Sequence, residues 1–251
     1  MRILPLALDA PPPTLQLIGI CLALFATFGC GPTEKVRSTP TTGPVTFDAP
    51  AGDASAAPPA PVIPEDAPTV VFLGDSIGAG LHLAEHQAVP AILQRRLAQR
   101  DLPFHLVNAS ESGRTSAGGV TAIDWVLRSE PDLVVIELGG NDGLRGVDPQ
   151  TTRANLATII ERSRAKGARV LLLGIRLPTN YGDLAERYDE LYPELASEFG
   201  LAFVPYWMKD VGAVPELNLA DGLHPNAEGH ERLADNVQEA LTEVLRGFKG
   251  E

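Results

Sequence analysis

Two runs in this chain, Val70-Val71-Phe72-Leu73 and Leu133-Val134-Val135-Ile136-Glu137-Leu138, hold almost no polar position. A strand built from either must be covered on both faces, which argues against a sheet with one wet side. Similar runs recur at Phe104 to Ala109, Arg169 to Ile175 and Ala202 to Trp207. Between them the apolar residues change to helical spacing. Val89, Ile92, Leu93 and Leu97 fall within Val89 to Arg100, and Val120, Ile123, Trp125, Val126 and Leu127 within Ser116 to Arg128. Further helices are expected over Pro149 to Lys166 and over Tyr181 to Phe199, the latter with a fold-back at Pro193. A terminal helix over Asn226 to Phe248 carries Leu233, Val237, Leu241 and Leu245 on one stripe. Strand alternating with helix predicts right-handed crossovers and a parallel sheet with helices on both faces.

The polar residues able to do chemistry lie just beyond strand ends. Ser76 follows the first strand in Gly74-Asp75-Ser76-Ile77-Gly78-Ala79-Gly80, where glycines allow a sharp turn and close approach to a ligand. Taken alone, a serine there caps the next helix as readily as it reacts. Gly113 lies in the loop after the second strand, and Asn141 follows the third in Gly139-Gly140-Asn141-Asp142. In an α/β, flavodoxin-like three-layer sandwich of about five parallel strands in the order 2-1-3-4-5, these loops meet at the switch between strands one and three. A serine hydroxyl needs a base, and the base needs a group that fixes its tautomer. Asp221-Gly222-Leu223-His224-Pro225 supplies both, since a turn folds the carboxylate back onto the imidazole and leaves its other nitrogen facing out.

Composition narrows the partners. A net charge of -12 and a sequence pI near 4.8 repel phosphate backbones, so no nucleic-acid partner is expected. The two cysteines, Cys21 and Cys30, both lie in the N-terminal apolar segment, which leaves the folded part without thiol chemistry. Leu15 to Phe28 has the length of a signal-peptide core, and Ala26-Thr27-Phe28-Gly29-Cys30-Gly31 resembles the lipobox of bacterial lipoproteins, which implies lipidation at Cys30. The expected plan is a signal peptide over residues 1–30, a Pro/Thr/Ala-rich tether over 31–67 and a catalytic domain over 68–251. Such a protein would be exported to the bacterial envelope, either released into the periplasm after an ordinary secretory signal or held on a membrane through a lipid anchor.

Gly74-Asp75-Ser76, the Gly113 loop, Gly140-Asn141-Asp142 and Asp221-x-x-His224 resemble, in order, the four blocks of the SGNH hydrolases, or GDSL esterases/lipases. The likeness is greatest to the bacterial thioesterase/lysophospholipase and arylesterase branch, and runs from about Thr69 to Leu245. It implies a serine hydrolase of carboxylic esters that works through an acyl-enzyme with no metal or cofactor. Ser76 would be the nucleophile, His224 the base and Asp221 its partner. The Ser76 and Gly113 N–H groups and the Asn141 amide would form the oxyanion hole. The resemblance also implies that the loop Gly143 to Pro149 moves, and that Gly143, Leu144, Arg176, Leu177 and Pro178 lie near the acyl group. The substrate would be a small acyl ester or lipid-like molecule, with no obligate protein partner.

Other readings compete. Gly74-Asp75-Ser76-Ile77-Gly78 also fits the G-x-S-x-G elbow of α/β-hydrolases, but only one strand of the domain precedes Ser76. His82-Leu83-Ala84-Glu85-His86 matches an H-x-x-E-H zinc pattern with Glu161 as a third ligand, although its place in a short connection favours a solvated loop face. An O-acetyl esterase of envelope polysaccharide and a non-catalytic tethered binding lipoprotein are the functional alternatives.

Overall fold

A computed structural model describes residues 57–250. The predicted leader, Cys30 and most of the predicted tether lie outside the described residues. The elements run β1 (Thr69–Gly74), α1 (Val89–Ala98), β2 (His105–Asn108), α2 (Ser116–Val126), β3 (Leu133–Glu137), α3 (Gly140–Leu144), α4 (Pro149–Ala165), β4 (Arg169–Leu173), α5 (Asp183–Phe199), β5 (Ala202–Val204) and α6 (Ala227–Lys249). All five strands are parallel, as the alternation of elements predicts, and their order β2-β1-β3-β4-β5 is the one expected of the flavodoxin-like sandwich.

The register follows from the apolar runs. Val71 of β1 lies beside Val107 of β2 and Val134 of β3, and each residue of β3 is buried. Helices α1 and α6 pack together on one face, while α2, α4 and α5 cover the other. The leucine stripe of α6 is almost wholly buried there. Helix starts are set by side chains the sequence supplies. Thr115 accepts from the Gly118 N–H at 3.2 Å, Asp148 from Gln150 N–H at 2.7 Å and Asn226 from Gly229 N–H at 3.0 Å.

Pro193 does not fold the chain back. Helix α5 continues through it, because Ala185, Tyr188, Leu191, Tyr192, Leu195 and Ala196 form one buried stripe across both halves. Pro193 is on the exposed face, where water can take the place of the hydrogen bond its missing N–H forgoes. Helix α3 was not expected. It starts after Gly139, whose φ of +117° turns the chain out of β3 where Tyr192 Oη crowds the position a Cβ would take.

Helix α1 has no side-chain cap of its own. The first N–H, of Val89, instead donates to Nδ1 of His230 on α6 at 3.2 Å. Burial, with a smaller effect of His224, pushes the His230 pKa from 6.5 down to about 4. The unfolded chain takes up this proton near 6.5 and the folded protein only near 4. The stability so held is whole above that window and is lost as pH falls through it, by about 3 kcal/mol. Asp75 and Glu137, both raised by burial, change stability in the opposite sense. The informative comparison is therefore with His230→Asn, which keeps an acceptor but cannot take a proton. Urea unfolding at several pH values should show the wild type losing more stability than the variant between about pH 7 and 4. Parallel curves would contradict this role.

Candidate active site

Strand β1 ends in a turn built around Ser76. Asp75 Oδ1 accepts from the Ile77 N–H at 3.0 Å, and the carbonyls of Asp75 and Ser76 accept from the N–H groups of Ala79 and Leu81, each at 3.0 Å. The turn is also held from β3. Glu137, opposite Gly74 in the register, accepts from the Asp75 N–H at 2.9 Å and the Gly78 N–H at 3.2 Å, both through Oε2. A Cβ at Gly74 or Gly78 would run into that oxygen and into Ser110 Oγ. The two glycines are thus required by the close approach of the Glu137 side chain.

His224 and Asp221 come from the loop before α6. Its ends are drawn together by Asn218 and Pro225, which form an antiparallel bridge, and by Leu219 N–H donating to the His224 carbonyl at 2.7 Å. Gly222, with φ of +67°, makes the tight bend between acid and base. Asp221 Oδ1 accepts from the N–H groups of Leu223 at 2.9 Å and His224 at 3.0 Å. Its Oδ2 lies 2.7 Å from His224 Nδ1. The His224 N–H, then its imidazole, then the Leu223 N–H hold the Asp221 carboxyl well below the usual carboxylate range. Across the cleft, His224 Nε2 is 2.9 Å from Ser76 Oγ. Carboxylate, imidazole and hydroxyl therefore form one hydrogen-bonded line.

Asn141 stands at the start of α3, and its Nδ2 donates to Asp75 Oδ2 at 3.1 Å. Arg145 bridges the next two loops, donating to the Gly113 carbonyl at 3.1 Å and to Asn141 Oδ1 at 3.5 Å. Gly113 has φ of +80°, which favours glycine. Below them, buried Asp142 accepts from the Ser116 N–H at 2.8 Å and the Ser116 hydroxyl at 2.5 Å, tying the start of α2 to α3. This tie fixes the Gly113 loop relative to Asn141.

These loops enclose a cleft of about 430 Å³ lined by Ser76, Gly113, Asn141 and His224 together with Leu144, Arg176, Leu177 and Pro178. Gly143 departs from expectation. It belongs to α3, so the predicted mobile loop begins inside a helix, and it is buried against Leu177 instead of lining the cleft. Asp75, Glu137 and Asp142 were not singled out from the sequence as parts of the site. For Glu137 the available signal was a carboxylate inside an otherwise apolar strand, which has no reason to be there unless its neighbours satisfy it. His82 and Glu85 are exposed near a short 3-10 turn and Glu161 is exposed on α4; among the described residues no three His, Cys, Asp or Glu side chains are grouped to hold a metal ion.

The model of the GDSL-like Lipase/Acylhydrolase family matches residues 72–232. Esterase TesA of Pseudomonas aeruginosa is 46% identical over 181 residues, which cover 71% of this chain and 90% of the relative. The protein named thioesterase 1/protease 1/lysophospholipase L1 of Escherichia coli strain K12 is 40% identical over 184 residues, covering 71% of this chain and 86% of the relative. A crystal structure of TesA superposes with a TM-score of 0.68 at 45% identity, over 70% of this chain and 99% of that one.

Proposed function

Since the chain belongs to the GDSL-like lipase/acylhydrolase family and is a carboxylic ester hydrolase, we propose that Ser76 is its nucleophile, His224 its general base and Asp221 the group that orients His224. The observation that carries this reading is the line of Asp221, His224 and Ser76 at 2.7 and 2.9 Å on the wall of the cleft. Ser76 Oγ attacks the ester carbonyl while His224 Nε2 takes its proton. The tetrahedral oxyanion is met by the N–H groups of Ser76 and Gly113 and by the Asn141 amide. His224 then gives the proton to the leaving alkoxide or thiolate, and the acyl group remains on Ser76. Water repeats the sequence, its proton passing through His224 back to Ser76, and the carboxylic acid leaves.

Asn141 is aimed by the bond from one of its two amide hydrogens to Asp75, which leaves the other free for the substrate. Replacing Asn141 by Ala should lower kcat by about 100- to 1000-fold with little change in KM, since the donor matters most where charge develops. Steady-state kinetics checks this, and a rise in KM at constant kcat would assign Asn141 to substrate binding instead.

Substrates that suit the cleft are acyl esters and thioesters with short to medium chains, with lysophospholipids as a separate lipid-like class. Support comes from the apolar wall made by Ile175, Leu177, Leu144, Leu223 and Met208 and from the printed activities of the relatives. The test is hydrolysis of p-nitrophenyl esters of increasing acyl length by the purified protein, with Ser76→Ala as the blank. Serine-dependent turnover that peaks at medium chains is expected, whereas a peak at acetate would point to deacetylation of carbohydrate.

The N-terminal segment supports an enzyme exported and lipidated at Cys30 on a bacterial envelope membrane. Mass spectrometry of the protein from a bacterial host should find Cys30 acylated as the mature N-terminus. Release of an unmodified chain would contradict anchoring.

A further inference from the structure

Glu137 is a carboxyl group with no cation paired to it among the described residues. It ends β3 at the middle of the sheet, is 2% exposed, and takes part in no ion pair among the described residues. Its Oε2 accepts from both ends of the Ser76 turn, the N–H groups of Asp75 and Gly78. Its Oε1 meets no donor among the described residues. Its ionisable neighbour is another buried carboxyl, that of Asp75, whose own N–H donates to Glu137 Oε2 at 2.9 Å and whose side chain shares a hydrogen bond with it. Two buried carboxyls in such contact cannot both ionise, and the pair keeps a proton.

The hydrogen bonds say which partner holds it. Asp75 accepts from the Ile77 N–H on one oxygen and from Asn141 Nδ2 on the other, as a carboxylate does. Glu137, the more buried of the two, has an oxygen that no donor reaches but that could itself donate as O–H. Burial first, then the charge of Asp75, raises the Glu137 pKa well above the ordinary range.

We propose that Glu137 is a positioning residue for ester hydrolysis: as a neutral acid it donates a hydrogen bond to the Asp75 carboxylate, and through Asp75 it aims the Asn141 amide and fixes the turn that carries Ser76. The inference rests on the reading of Ser76 and Asn141 as nucleophile and oxyanion donor. No bond other than hydrogen bonds changes, and the proton stays on the pair through turnover.

A glutamine has the same shape as the protonated acid, with a carbonyl to accept from the two N–H groups and an amide to donate to Asp75. Glu137→Gln should therefore keep kcat within about threefold of the wild type. Glu137→Ala should lose about 10- to 100-fold in kcat with KM nearly unchanged, because the donor and nucleophile lose their alignment and not their chemistry. Infrared difference spectroscopy of the full protein at neutral pH should show a protonated-carboxyl C=O band that disappears in Glu137→Gln. A Gln variant that falls as far as the Ala variant would overturn the proposal, as would an Ala variant with wild-type kcat or the absence of that band. If the Ala variant does not fold, the band and the Gln kinetics still decide. Ser76→Ala assayed in parallel separates the two levels, since turnover surviving in that variant defeats the nucleophile assignment whatever the band shows.

Discussion

Ser76→Ala is expected to lower kcat by at least about 10⁴-fold while leaving the fold intact. The hydroxyl is the atom to which the acyl group is transferred, so its loss removes the covalent route and not just a contact. What remains is the hydrolysis that an oxyanion hole and bound substrate give to a water molecule, and KM should change little. Ser76 is almost fully buried, yet among the described residues its Oγ is tied only to His224, and the turn is held by backbone bonds to Glu137 and Asp75 that alanine leaves in place. The melting temperature should therefore stay close to that of the wild type, within about 1 kcal/mol of stability. Activity above a few per cent of wild type in a folded Ser76→Ala protein would remove Ser76 from its role.

Asp221→Asn should cost about 10³- to 10⁴-fold in kcat through a change of tautomer. The asparagine oxygen can still accept from the N–H groups of Leu223 and His224, so the loop should keep its shape. The amide nitrogen would then face His224 Nδ1 and make that atom an acceptor, which puts the ring proton on Nε2. There it confronts the Ser76 hydroxyl that should be giving up a proton. Asp221 is about half exposed, which lets water soften the effect and places the lower limit at about 10³. A loss of less than about tenfold would mean that the loop backbone alone orients His224. Thermal unfolding of the same variant guards against the trivial explanation.

Much of this architecture is legible in the sequence because it rests on short-range signals. Apolar runs such as 70–73 and 133–138 declare doubly covered strands, and the Gly-flanked Ser76 and the Asp221-x-x-His224 spacing mark turns that present side chains. The rest depends on neighbours that are far apart along the chain. Glu137 looks like an imperfection in a strand until the register puts it opposite Gly74, under the turn it holds. Pro193 looks like a break because the proline rule is local, and the buried stripe of α5 overrides it. Gly143 was expected near the substrate from the family resemblance alone; once α3 forms, that position packs against Leu177. The His230 imidazole at the start of α1 joins two helices well separated in sequence and leaves no local pattern at all.

The central claim is a covalent acyl-enzyme on Ser76, and the most direct measurement is labelling with a fluorophosphonate followed by peptide mass spectrometry. The account predicts one adduct per chain, on the peptide that contains Ser76, appearing in step with the loss of ester turnover and absent from Ser76→Ala. An adduct on another residue that accompanies inactivation, or full labelling of Ser76 with turnover unchanged, would contradict it.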